Sequence, residues 1–112
     1  MREFTHEGLV RWSETDASGR FHFIAAFVWV EEAEHQLYRE IEPDAPLRDL
    51  PRRAVKASYE STFHAGDSYH VRLCVKRIGT SSITYTWTVL NGSVPSIEGE
   101  HTVVHVGPDR RP

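Results

Sequence analysis

Residues 15 to 41 read TDASGRFHFIAAFVWVEEAEHQLYREI: one aspartate, a glycine-centred turn, then a single long helix. Ala26, Val30, Ala33, Leu37 and Ile41 recur at steps of three and four, which places them on one helical face. The helix is expected to begin near His22 or Phe23. Its first half, Phe23 to Val30, is apolar on every side, and a helix apolar all round is enclosed all round. Its second half, EEAEHQLYRE, is amphipathic and is expected to surface. No other segment has a comparable helical period.

Outside this stretch the period changes to two. Phe4 to Trp12 is a strand candidate, and the polar SETDASGR loop follows it. Beyond the helix, Glu42 to Pro51 has no period and reads as a connecting loop, with Pro43 blocking further helix. In Val55, Ala57, Tyr59, Ser61 and Phe63 the larger side chains then face one way. Ala65-Gly66-Asp67 is a turn. Tyr69, Val71, Leu73 and Val75 alternate with polar neighbours, as do Ile83, Tyr85, Trp87 and Val89 after a turn at Gly79 to Ser81. Asn91-Gly92 signals a hairpin, which the polar run Ser93 to Glu98 lengthens if it stays in the loop. Glu100 to Val106 is the last strand, and GPDRRP is a frayed tail. Short turns make the last four strands successive antiparallel neighbours with one buried face. The long helix is the element available to cover that face, an α+β arrangement of about five strands and one helix.

A chain of 112 residues is expected to form one domain, 1–112, with a core that needs no staple. Net charge is −3 with no block of one sign, which argues against a nucleic-acid footprint. Cys74 is the only cysteine, so no internal disulfide forms and a reducing, cytoplasmic location is expected. No apolar run reaches the ~18 residues of a membrane span.

The histidines invite a metal reading. His101 and His105 lie four apart, but HTVVH is β-branched, and on a strand that spacing is about 13 Å, too far for one ion. No HExxH or Cys/His cluster exists, so no metal is expected, and the reading reached below calls for no organic cofactor either. Cys74 has no motif and reads as an inert thiol. Glu31, Glu32, Glu34 and His35 offer general bases, although a solvated helix face with a Glu31–His35 pair is the simpler reading. Asp16 is the sharper candidate. Turn formation or capping is its bland alternative. It precedes the helix by about six residues, too far for a simple cap, with Gly19 between them to turn the backbone. The N–H groups of the first helical turn make an anion-friendly spot. A carboxylate beside such donors suits acyl transfer: one attacks or activates water, the other stabilises the oxyanion.

VRWSETDASGRFHF followed by the long helix resembles the hotdog-fold acyl-CoA thioesterases, the 4-hydroxybenzoyl-CoA thioesterase-like group. That pattern is a strand, two acids spaced by Thr or Cys, and a glycine three residues after the second acid. Here the second acid is Asp16 and the glycine is Gly19. VKASYESTFHAGDSYHVRLCVKRIGTSSITYTW and GEHTVVHV also look like the family's strands and turns. The resemblance implies a sheet wrapped around the helix, protomers joined sheet edge to sheet edge as a dimer or dimer of dimers, and active sites at the interface. It implies that Asp16 is the nucleophile or general base, and that the Phe23 backbone N–H polarises the thioester carbonyl. Some relatives carry a histidine where Phe23 stands. His22 is one place earlier, so that role does not transfer, and His22 and Gly19 count as substrate-binding candidates. Arg77, Thr80, Ser81 and Ser82 look like the coenzyme A contact region, where an Arg fork suits phosphate. In other hotdog thioesterases the acid is a helix glutamate, so Glu31 or Glu32 is the fallback.

The expected activity is hydrolysis of an acyl-CoA or acyl-carrier-protein thioester. Two other readings stay open: a hotdog protein that binds acyl thioesters without turnover, and a small isomerase or dehydratase using Asp16 as base.

Overall fold

The face predicted from spacing is the buried one. Ala26, Val30, Ala33 and Leu37 are all at most 2% exposed, on a helix, α1, that spans Ala25–Ile41. The computed structural model describes residues 3–41 and 51–104. The connecting loop at 42–50, the end of the last strand at 105–106, His105 and the tail lie outside the described residues.

The helix starts two to three residues later than expected. Residues 22 to 24 form a tighter turn, in which the Ala25 N–H donates to His22 O at 2.9 Å and the Phe27 N–H to Ile24 O at 3.0 Å. His22 Nδ1 accepts the Ile24 N–H at 3.3 Å, so this side chain stops the helix from extending backwards.

Five strands form one antiparallel sheet: β1 (Glu3–Leu9), β2 (Arg52–Tyr59), β3 (Ser68–Ile78), β4 (Ser82–Asn91) and β5 (Val94–Val104). Their order is β1-β3-β4-β5-β2. The expected successive pairing holds for β3–β4 and β4–β5 but fails for β2–β3. β2 pairs with β5, and β3 takes β1 as its other neighbour. The chain leaves the sheet after Tyr59, where the Glu60 and Ser61 N–H groups both donate to Ser96 O. It then crosses to the far side, and Phe63 plugs the core with no exposure, 5.4 Å from both the Trp29 and the Phe21 ring. Phe63 keeps the parity of a strand residue, which is why the crossing looked like strand in the sequence.

β1 is shorter than expected, because a single 3-10 turn over Trp12–Glu14 replaces its end. β5 is longer, because 94–98 joins the strand and Asn91 pairs with Val94 across the Gly92-Ser93 turn. Gly99 sits opposite Trp87, where a Cβ would come within 2.3 Å of the indole ring. Only glycine leaves that ring its place.

The buried alternation holds on β3 (Tyr69, Val71, Leu73) and β4 (Tyr85, Trp87, Val89). It fails on β2, where Val55 and Tyr59 are exposed. β2 is a sheet edge, and α1 lies closest to β1 and β3 at the opposite edge. For the same reason the apolar stretch Phe23 to Val30 is not enclosed within one chain, and Phe23, Ile24 and Val28 are each at least half exposed.

The second half of α1 departs from expectation in the other direction. Glu34 is 1% exposed rather than solvated. Its Oε1 lies 2.7 Å from His101 Nε2 and 2.8 Å from Arg52 Nη2, and its Oε2 accepts from Arg52 Nη1 at 3.2 Å. Trp87 Nε1–H donates to His101 Nδ1 at 3.1 Å. An indole N–H only donates, so Nδ1 is the acceptor and Nε2 carries the proton to Glu34. Burial opposes ionisation of Glu34. The His101 hydrogen bond and the Arg52 charge outweigh it and hold the carboxyl below its usual value.

A carboxyl held low contributes stability that is fully present above its unfolded pKa of ~4.3 and is lost as pH falls through the folded value. The wild-type Tm is therefore expected to fall below about pH 4.3 more steeply than that of Glu34→Gln. At pH 7, Glu34→Ala is expected to cost about 1–3 kcal/mol in denaturant unfolding, since it leaves the buried His101 N–H without its acceptor.

Candidate active site

The stretch that carries Asp16 folds back on itself. Thr15 and Phe21 make an isolated antiparallel bridge, the Asp16 N–H donates to Arg20 O at 2.8 Å, and the Gly19 N–H returns to Asp16 O at 3.0 Å. Gly19 takes a φ of +84°, which a side chain would strain. Asp16 Oδ1 accepts both the Ser18 N–H at 2.8 Å and the Ser18 hydroxyl at 2.5 Å. The bland alternative for Asp16 is thus realised: it is a turn former. That role uses one oxygen and leaves Oδ2 with no hydrogen bond among the described residues.

Asp16 is exposed, and its carboxyl is held below the usual aspartate value. The Ser18 hydroxyl and then the Ser18 amide are the main causes, slight desolvation opposes them, and the charges of His22 and Arg20 add a little. Neither burial by Phe21 and Phe23 nor the helix N-terminus sets this value. Phe21 is buried but Phe23 points outward, and α1 begins nine residues after Asp16.

The loop is fixed to the rest of the chain at several points. The Phe21 N–H donates to Phe63 O at 2.8 Å and the His22 N–H to Glu14 O at 2.6 Å, while Arg20 bridges to His64. The Tyr59 hydroxyl donates to Phe23 O at 3.0 Å. The Phe23 N–H makes no hydrogen bond within the described residues. Asp16, Gly19, His22 and the Phe23 N–H therefore share one anchored segment at one end of the sheet.

Arg77, Thr80, Ser81 and Ser82 stand at the other end. Strand β3 starts beside the Asp16 loop and reaches their turn ten residues later, about 33 Å away at ~3.3 Å per residue. Arg77 follows a bulge between Val75 and Arg77 and is exposed. The Gly79 N–H donates to Ser82 O to close the turn. Thr80, Ser81 and Ser82 line a shallow cleft of about 220 Å³ with Ile78, Ile83 and Val103. One protomer does not bring the two groups of candidates together.

Of the fallback acids, Glu32 is exposed, and Glu31 is exposed and 3.4 Å from Arg52. Glu31 and Arg52 also line an apolar cleft of about 470 Å³ between α1 and β2, with Phe27, Val28, Val30, Val55 and His101. Two residues close to the loop escaped the sequence reading. Tyr59 looked like one of an alternating series, and Glu14 like a loop acid. Only the two-residue spacing of Glu14 from Asp16 singled it out. Among the described residues no three His, Cys, Asp or Glu side chains are grouped to hold a metal ion.

No protein-family model matches the chain, and no curated protein matches it in sequence. Solved structures do match it. A predicted thioesterase from Bacillus stearothermophilus superposes with a TM-score of 0.89 at 25% identity, over 99% of this chain and 86% of that one. A 1,4-dihydroxy-2-naphthoyl-CoA thioesterase from Synechocystis gives 0.85 at 18% identity, over 98% and 87%. A hypothetical protein from Aquifex aeolicus gives 0.83 at 20% identity, over 93% and 100%. The architecture of one helix against a five-stranded antiparallel sheet is the hotdog fold of the two named thioesterases.

Asp16→Asn keeps the acceptor for Ser18 and removes the charge. If the carboxylate does the chemistry, kcat for thioester cleavage is expected to fall by at least ~10²-fold, while Glu31→Gln and Glu32→Gln change it little. Because the carboxyl is held low, the acid limb assigned to Asp16 in the pH–rate profile should lie below the ordinary ~3.9, and Ser18→Ala should move it upward. A dead helix-glutamate variant beside a fully active Asp16→Asn would move the catalyst to α1.

Proposed function

We propose that this chain is a thioesterase that hydrolyses an acyl-CoA or acyl-carrier-protein thioester, with Asp16 as the reacting acid and the Phe23 N–H as carbonyl polariser. The observation that carries the reading is the anchored loop. It presents an ionised carboxylate with a free oxygen and an unbonded N–H in the turn just before the helix, within a hotdog frame shared with named thioesterases. A carboxylate held low is a weak base, which favours direct attack over activation of water. In that path Asp16 Oδ2 attacks the carbonyl carbon and the C–S bond breaks. The thiolate leaves and takes a proton from water, and a second water cleaves the anhydride to free the acid and restore Asp16. Single turnover in ¹⁸O-water separates the paths. Direct attack, with the second water adding at Asp16 Cγ, delivers an unlabelled Asp16 oxygen to the first product molecule and leaves the label in Asp16, whereas activated water labels the product and never Asp16.

The site as proposed is shared between two copies. The edge strand β2 with Val55 and Tyr59, and the outward Phe23, Ile24 and Val28, form an apolar margin that a second copy would cover. Joining two sheets through antiparallel β2 edges reverses one relative to the other. Arg77, Thr80, Ser81 and Ser82 of the partner then approach the Asp16 end, which they do not reach within their own chain. Light scattering is expected to give at least twice the 12.9 kDa chain mass. Arg77→Ala should raise KM more than it lowers kcat, since phosphate contacts bind substrate and transition state alike. Mixing Asp16→Asn with Arg77→Ala subunits should restore wild-type sites in mixed dimers. No recovery would place both groups in one protomer's site or remove Arg77 from it. An acyl-thioester binder without turnover would bind acyl-CoA yet release no thiol.

A further inference from the structure

Glu14 makes four hydrogen bonds, and together they tie the neck of the Asp16 loop to the helix behind it. Its N–H donates to Arg11 O at 2.9 Å and its Oε1 accepts the Arg11 N–H at 2.9 Å, closing the turn that leads into the loop. Its carbonyl accepts the His22 N–H, at the point where the loop runs into the helix. Its Oε2 accepts Trp29 Nε1–H at 2.9 Å. Trp29 is 1% exposed, stacked on Tyr69 at 4.1 Å and packed against Phe21 and Phe63, so the indole has no room to swing.

We propose that Glu14 is a positioning residue that fixes where the Asp16 carboxylate stands relative to the Phe23 N–H, using the immobile Trp29 indole as its anchor. The inference rests on the thioesterase reading above. The loop from Thr15 to Phe21 is closed on itself and tied on its far side to Phe63 and His64, so its position relative to α1 depends on how its two ends are held. Glu14 holds both: it is the residue before the loop, and its carbonyl grips the residue after it. Its side chain then pins that pair of ends to α1.

The chemistry of the position calls for a carboxylate. Two N–H donors, from Arg11 and Trp29, converge on one side chain, and a carboxylate offers each an oxygen. Glutamine offers one oxygen and one amino group, so one of the two donors faces another donor. Glu14 forms no hydrogen bond to the Asp16 side chain and needs none, because Ser18 governs that carboxylate.

A shift of about 1 Å in a reacting group costs about 10²-fold in rate. Glu14→Gln is therefore expected to lower kcat about 10²-fold with KM within about twofold, and to leave the acid limb of the pH–rate profile in place. Trp29→Phe, which keeps most of the ring packing and removes the donor, is expected to give the same kcat loss. In the double variant with Asp16→Asn, Glu14→Gln should cause no further fall, because no positioned carboxylate remains. A purely structural role would add its loss to that of Asp16→Asn. A second readout is independent of turnover. In ¹⁵N spectra Glu14→Gln should move the Ser18, Gly19 and Phe23 amide resonances while Tyr85 to Val89 stay in place. Wild-type kcat in Glu14→Gln, additive losses, or unmoved loop amides would each overturn the proposal. If the wild-type protein has no thioesterase activity, the functional reading fails, and the amide shifts alone decide whether Glu14 sets the loop.

Discussion

A buried carboxylate–imidazole contact joins the helix to the sheet. Glu34 Oε1 and His101 Nε2, 2.7 Å apart, link α1 to β5, and Trp87 on β4 and Arg52 on β2 complete the set. Most of the remaining core is apolar, and dispersion and burial have no direction. This contact does have direction. It fixes the rotation of α1 about its axis, and with it which residues of the first turns face outward. The Asp16 loop is built on the end of that helix, so its placement inherits the accuracy of a bond several turns away.

Sheet coverage explains most of the remaining architecture. One helix lies over five strands and sits towards the β1 edge. The β2 edge keeps apolar side chains in the open, as do the first residues of the helix. An apolar margin this size has a cost in water, and a strand with one free edge invites a neighbour. The distance between the two groups of candidate residues points the same way. The loop that presents Asp16 and the turn near Arg77 lie at opposite ends of the sheet.

The periodicities carried much of this information. Steps of three and four in Ala26, Val30, Ala33 and Leu37 identified the buried helical face, and alternation identified the inner faces of β3 and β4. Alternation is a local signal, however, and strand order is not. Nothing in the run from Val55 to Phe63 says that the chain leaves the sheet after Tyr59, since Phe63 is as buried in its crossing segment as it would be in a strand. Glu34 was misread for a related reason. Among the acidic residues of EEAEHQ, burial depends on what approaches from the sheet, and His101 and Arg52 are far away in sequence. Asp16 stood out as a candidate because an acid before a glycine turn and an apolar helix is unusual. Its pKa was not legible, because Ser18 looked like one more polar loop residue.

The three tryptophans occupy three distinct settings. Trp12 is 77% exposed at the entry to the loop, Trp29 is hydrogen-bonded to Glu14 behind the loop, and Trp87 is bonded to His101 in the core. Their indole protons should exchange with solvent on separate timescales. The first exchanges as a free surface group does, the second when the loop neck lifts from the helix, and the third only when helix and sheet part. The chain thus carries its own set of clocks, and three resonances distinguish loop motion from opening of the core without any label being attached.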